Sequence, residues 1–171
     1  MQIRQLSEDD WKHYRSIRLD ALLADPGAFA SSHEREAAFD EATWRLRVTT
    51  GPLGKPNGAF VAFDEHDATV GTASVAYTEH HPAPMLVGMW VRPEGRGQRL
   101  GQQLVDSCVA WAAERGETSM VLWVVKDNAP AIALYERCGF EATGMVDALP
   151  NNPCADELEM LRSWESAELK R

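Results

Sequence analysis

Between positions 11 and 22 apolar side chains fall at Trp11, Tyr14, Ile17, Ala21 and Leu22, the three-and-four spacing of one helical face. Ser7-Glu8-Asp9-Asp10 precedes it as a capping-box pattern, and Asp25-Pro26-Gly27 stops it. Residues 2–6 alternate as a short strand. A small, polar piece holding Phe29 follows, and the positions from Glu34 to Val48, with Phe39, Trp44 and Leu46, predict a second helix. Gly51 to Gly58 reads as a loop. Two strands come next, Ala59–Phe63 and Thr69–Tyr77, joined at Asp64-Glu65-His66-Asp67, with Thr78–Pro84 as the next turn.

The stretch Met85 to Gly101 changes period partway along. Met85–Val91 is a short apolar run closed by Pro93 and three glycines, which suits a buried strand. From Gln98 the apolar positions become Leu100, Leu104, Cys108 and Ala112, a helix face ending near Arg115-Gly116. Ser119–Val125 is apolar without alternation, the pattern of a strand buried on both faces in parallel pairing. Asn128 and Pro130 then start a helix that Gly139 caps. Phe140–Val146 and Asp156–Arg162 are the last two strands, with Asp147–Ala155 as the loop between them. Residues 1–171 are therefore expected to form a single α/β domain, with a mixed seven-stranded twisted sheet and about four helices on its two faces.

Strand, glycine turn, helix is an anion-binding arrangement, because the first helical turn has unpaired N–H groups and the positive end of the macrodipole. Positions 92 to 99 hold three arginines against one glutamate, a local charge of +2 in a chain whose net charge is -9. The positive patch is therefore placed. The overall acidity argues against nucleic acid as the main partner, since no basic stripe exists to displace counterions. An amine or cationic substrate is the easier fit.

Three cysteines without Cys-x-x-Cys spacing read as reduced thiols. No apolar run reaches the ~18 residues needed to span a bilayer, and the acidic N-terminus is no signal peptide. A cytoplasmic protein without membrane attachment or a metal is the expectation.

The turn lacks both the Gly-Lys-Ser/Thr of a Walker loop and a dinucleotide fingerprint. It resembles the cofactor motif of the GNAT family of N-acetyltransferases. Val91-Arg92-Pro93 stands at the strand end, followed by Arg96-Gly97-Gln98-Arg99-Leu100-Gly101. Arg99 stands where the family usually has its middle glycine; a helical N–H there would still point at the pyrophosphate, and the side chain adds a cation. Asn128-x-x-Ala131-x-x-Leu134-Tyr135-x-x-x-Gly139-Phe140 resembles the second family motif, in the right order.

The resemblance implies the GNAT fold and transfer of acetyl from acetyl-CoA directly to a primary amine of a small molecule or peptide. It implies that the strand ending at Val91 splays from its neighbour, with the pantetheine against Met89, Trp90 and Val91 and with Asn128 reaching it. Met89 and Trp90 would face opposite sides of the sheet. The pyrophosphate would lie on Arg96, Gly97, Gln98, Arg99, Leu100 and Gly101, and Tyr135 would protonate the departing thiolate. A phenol with a reference pKa of about 10 is protonated at pH 7 and outlasts a thiol near 8.5. Relatives often carry a glutamate on the central strand, but Met85–Val91 has no ionisable residue. Phe29, Glu34 and Glu79 are the candidate substrate contacts, and His33, His80 and His81 are further titratable neighbours. Each is also readable as core or solvated surface. A homodimer is compatible with this reading. Two rivals stand beside it: an acyl-CoA-binding sensor or partner-binding module of the same fold with no activity, and a protein using the turn for another nucleotide.

Overall fold

Seven strands build one sheet: β1 (Gln2–Gln5), β2 (Gly58–Phe63), β3 (Thr69–Thr78), β4 (His81–Val91), β5 (Ser119–Val125), β6 (Glu141–Leu149) and β7 (Asn152–Ser163). The computed structural model describes residues 1–51 and 53–165. Pro52, inside the loop expected at 51–58, and the end of the single domain expected over 1–171 lie outside the described residues. Across the sheet the order is β1-β2-β3-β4-β5-β7-β6. Among the described residues only β4 and β5 pair in parallel; the other neighbours are antiparallel.

The helices are α1 (Trp11–Ala24), α2 (His33–Ala37), α3 (Glu41–Thr49), α4 (Leu100–Ala113) and α5 (Ala129–Arg137). Period-two alternation divides the core between the two faces. Ala59, Val61 and Phe63 of β2 pack with Ile17, Leu22 and Trp44 from α1 and α3. Phe60 and Ala62 point the other way, toward Leu104, Cys108 and Trp111 of α4 and Met120 and Leu122 of β5. Each fully buried Leu or Phe contributes about 1.5–3 kcal/mol by removal from water, so both helical layers are needed to hold the sheet. Among the described residues no helix is long and apolar enough to cross a membrane.

Three expected boundaries are redrawn. The helix expected over 34–48 is two helices, because Asp40 leaves helical geometry at ψ 170° and its side chain accepts the Thr43 N–H at 2.8 Å. Local capping outcompetes continuation there. The turn expected at Thr78–Pro84 shrinks to Glu79-His80, with Thr78 paired to His81. The loop expected at Asp147–Ala155 is largely strand, turning only at Pro150-Asn151 between Leu149 and Asn152. All residues of β6 but Leu149 are exposed, so the hairpin lacks the one-face alternation that would have revealed it.

Two features of β4 place the site. Val87 pairs with Ser74 and Trp90 with Thr72, so Ala73 of β3 stands opposite both Gly88 and Met89. That is a bulge, and Gly88 accommodates it at φ +63°. On the other side of β4 the registered pair with β5 is Met85 with Val121. The ladder stops there, leaving the C-terminal end of β4 open toward α4 and α5, as the expected splay requires.

Candidate active site

A cavity of about 550 Å³ opens at that end of β4. Met89, Trp90 and Val91 form its floor. The turn contributes Gly95, Arg96, Gly97 and Arg99, and α4 adds Leu100, Gly101 and Gln102. Asn128, Ala131, Leu134 and Arg137 approach from α5, while Asp25, Ala28 and Phe29 close the side nearest α1.

The turn is shaped by two left-handed residues. Gly97 has φ +79° and Arg99 φ 59°, ψ 13°. Arg99 is therefore not the first-turn helical residue expected but the N-cap of α4, in a conformation that a Cβ disfavours and glycine accepts freely. The family's usual glycine at this position has a physical reason here. Gln103 N–H makes the first backbone bond of the helix, to Arg99 O at 3.1 Å. The amides of Gly97, Gln98, Arg99, Leu100, Gly101 and Gln102 donate to no protein acceptor among the described residues. A Cβ at Gly97 would meet nothing within 4 Å. Open amides, a helix N-terminus and the exposed Arg99 form a cradle that fits a diphosphate.

Gly101 is helical, and its role is close approach. A Cβ there would lie 2.8 Å from Met89 Cε and 3.1 Å from Leu134 Cδ2. Its bareness lets α4 start against both β4 and α5. Arg96 braces the turn, with Nε on Val91 O at 3.0 Å and Nη2 on Asp25 Oδ2 at 3.2 Å. The Gln98 side chain reaches Glu94 O at 3.5 Å and does not line the cavity. Asn128 lines it while capping α5, its Oδ1 accepting the Ala131 N–H at 3.3 Å.

Met89 and Trp90 face opposite layers, as alternation requires: Met89 packs with the α4 side and Trp90 with the α1 side. Tyr135 lies on α5 beside Leu134 but is buried, edge-on to Phe140 at 6.0 Å between centroids, and is not part of the cavity wall. Burial, followed by the neighbouring Cys138 and Cys108 thiols, pushes its phenol well above the ordinary range, so the hydroxyl stays protonated at neutral pH. Of the candidate substrate contacts, Phe29 lines the cavity. Glu34 is exposed on α2, and Glu79, with His80, sits in the turn before β4, roughly 30 Å of strand from Met89. The structure does not bring Glu34 or Glu79 to the site.

Two charged residues that sequence reading passed over lie at or beside it: Asp25 on the cavity wall, and Arg18 behind Phe29, outside the wall. Asp25, read only as a helix stop, accepts from Trp90 Nε1 at 2.6 Å and from Arg96. Arg18 occupies the sheet-facing side of α1 between Tyr14 and Leu22, and that charged residue at an apolar position was the available signal. It pairs with Glu36 through Nε at 2.9 Å and Nη2 at 2.7 Å, and Arg47 approaches the same carboxylate at 3.4 Å. Burial opposes both charges, yet the hydrogen bonds between them prevail, so Arg18 is held more firmly protonated and the Glu36 carboxyl lies below its usual range. Among the described residues no group of three or more His, Cys, Asp or Glu is placed to hold a metal ion.

Residues 5–140 match the model of the acetyltransferase (GNAT) family. An aminoglycoside N(6')-acetyltransferase type 1 of Stenotrophomonas maltophilia is 30% identical over 74% of this chain and 86% of its own length. An uncharacterized N-acetyltransferase of Schizosaccharomyces pombe is 35% identical over 53% of this chain and 56% of its own length. For a mycothiol acetyltransferase of Geodermatophilus obscurus the figures are 34%, 70% and 39%. The chain thus spans about half the length, or less, of these last two relatives. Among solved structures, a phosphinothricin acetyltransferase from Sinorhizobium meliloti in complex with AcCoA superposes with a TM-score of 0.76 at 21% identity, covering 99% of this chain and 91% of that one.

Proposed function

Because the chain belongs to the GNAT acetyltransferase family, we propose that it transfers an acetyl group from acetyl-CoA directly to a primary amine of a small molecule or peptide, in the cytoplasm. The observation that carries this is the row of open amides from Gly97 to Gln102, set against a β4 whose far edge is unpaired at the same cavity. The relatives named for acetylation of small molecules support the acceptor class.

On this reading the amides of the turn, with Arg96 and Arg99, hold the pyrophosphate, and Asn128 and the β4 backbone hold the pantetheine. The backbone N–H near Met89, at the bulge, polarises the thioester carbonyl as an oxyanion-type donor. The amine nitrogen bonds to the carbonyl carbon, the carbon–sulfur bond breaks, and we assign the proton taken up by the departing thiolate to Tyr135, which stands behind the cavity wall beside Leu134. The nitrogen releases a proton to solvent, and the Tyr135 phenolate recovers one. Preorganised donors at the carbonyl and a positioned acid are the two groups the protein itself supplies.

A second reading is favoured by one observation. Asp25 is the carboxylate of the cavity wall, and it is engaged by Trp90 and Arg96; a protein that binds acyl-CoA without turning it over needs no base. Thiol release from acetyl-CoA, followed across polyamines, amino acids, aminoglycosides and peptide N-termini, separates the two. Amine-dependent release with an acetylated product supports transfer. CoA binding without release from any acceptor supports the silent binder.

A further inference from the structure

We propose that Arg18 is the anion-recognition residue of the acceptor site, so that the amine acetylated here carries a carboxylate or another oxyanion within a few bonds of its nitrogen. The inference rests on the acetyl-transfer reading and names its substrate class.

Arg18 is 6% exposed, and two of its three nitrogens are used by Glu36. Its third, Nη1, is buried without a hydrogen-bond partner among the described residues. A buried donor on a guanidinium that finds no acceptor is an unfavourable feature, and native structures satisfy nearly all such groups. Here the orphan has an address. A Cβ built on Gly88 would lie 3.7 Å from Nη1, so the donor looks onto the β4 bulge next to Met89, where the thioester carbonyl is to be held. Any side chain at Gly88 would occupy the space beside it.

The local charge also calls for an anion. Arg18 and Arg47 face one carboxylate, Glu36, and β4 from Met85 to Val91 adds no ionisable group. An oxyanion on the acceptor supplies both the missing hydrogen-bond acceptor and the missing charge. Phe29 stands between Arg18 and the cavity: its ring centroid lies 4.8 Å from the guanidinium carbon, and the residue also lines the cavity wall. The ring turns aside as the oxyanion enters. Asn151 of the β6–β7 turn donates to Ser31 O at 3.2 Å, which ties down the chain just beyond it.

The test compares, in the wild-type protein, amino acids with their carboxamides and with the amines lacking the carboxyl carbon, by kcat/KM for acetyl-CoA-dependent thiol release. The carboxamide has the less basic nitrogen and is intrinsically the better nucleophile at neutral pH, so a preference for the acid reports recognition. The expected result is at least a tenfold preference for the carboxylate-bearing acceptor. Arg18→Met should abolish that preference while the calorimetric Kd for CoA stays within twofold; if the single variant fails to fold, the double variant Arg18→Met/Glu36→Leu removes the stranded charge. Equal or better turnover of the carboxylate-free amines by the wild-type protein overturns the proposal, as does turnover of such amines with no carboxylate-bearing amine accepted. Absence of CoA binding, or CoA binding with thiol release to no amine of any kind, overturns instead the acetyl-transfer reading on which it rests.

Discussion

Met89 on β4 and Gly101 on α4 approach so closely that a single added carbon on Gly101 would sit 2.8 Å from Met89 Cε. The contact fixes where the cradle of free amides meets the strand, and it makes the glycine necessary for packing. Alanine at this position is accommodated by a small shift of the flexible Met89 end. Valine brings two further methyls toward Met89 and Leu134 and forces the start of α4 outward. Gly101→Val should raise the KM for acetyl-CoA at least tenfold, about 1.4 kcal/mol, with the acceptor KM nearly unchanged. Steady-state kinetics with each substrate varied in turn checks this, and a folded variant with normal cofactor KM refutes it.

Arg99 carries two opposing effects that one substitution separates. Its left-handed conformation costs roughly 1–2 kcal/mol for a residue with a Cβ, so Arg99→Gly should raise Tm by about 2–8 °C for a domain of this size. The same change removes a cation from the cradle, and the dependence of CoA affinity on salt should become shallower. Thermal denaturation and CoA titrations at several ionic strengths read the two effects independently.

The motif residues at 96–101 and 128–140 were legible because anion binding demands a strand, a turn and a helix in immediate succession, and such local order is written in local sequence. Seven strands followed from the same kind of signal. The break at Asp40 was not legible, since a capping aspartate inside an otherwise helical pattern competes with continuation by only about 1 kcal/mol. Nor was the extension of β6 and β7 through the loop expected at 147–155, because β6 is exposed along nearly all its length. The acceptor side was hidden for another reason. Phe29 was named from the sequence, but Arg18 and Glu36 come together only through the packing of α2 on α1, a tertiary event that no spacing along the chain announces.

Glu36 ties acid stability to the acceptor side. Its folded-state pKa lies below that of the unfolded chain because the Arg18 hydrogen bonds and the charges of Arg18 and Arg47 outweigh its burial. The stabilisation is therefore complete above the unfolded value, near 4.3, and is lost as pH falls through the lower folded value. Glu36→Gln should destabilise the fold by about 3–5 kcal/mol at neutral pH, since it strands a buried guanidinium. Its stability should also vary less with pH below about 4.5. Denaturant titrations of both proteins from pH 7 to pH 3 give the comparison.

Tyr135→Phe preserves the edge-on packing with Phe140 and removes one oxygen, so folding and CoA affinity should hardly change. If the phenol protonates the thiolate in the rate-limiting step, kcat falls by roughly 10²–10⁴. Burial keeps this hydroxyl protonated through the whole working range, so no alkaline limb of the kcat profile below pH 10 should belong to it. A fall under about threefold with chemistry rate-limiting assigns the proton to water and leaves Tyr135 to packing.

Direct transfer of the acetyl group at this cavity is tested most directly by a single turnover followed by mass spectrometry of protein and products together. The protein is mixed with acetyl-CoA labelled in the acetyl carbonyl, with and without an accepted amine. Labelled N-acetyl product and free CoA are expected in equal amounts when amine is present, and unmodified protein with intact acetyl-CoA when it is absent. Label on the protein, at a cysteine such as the exposed Cys154, or loss of acetyl-CoA without acetylated amine, would contradict it.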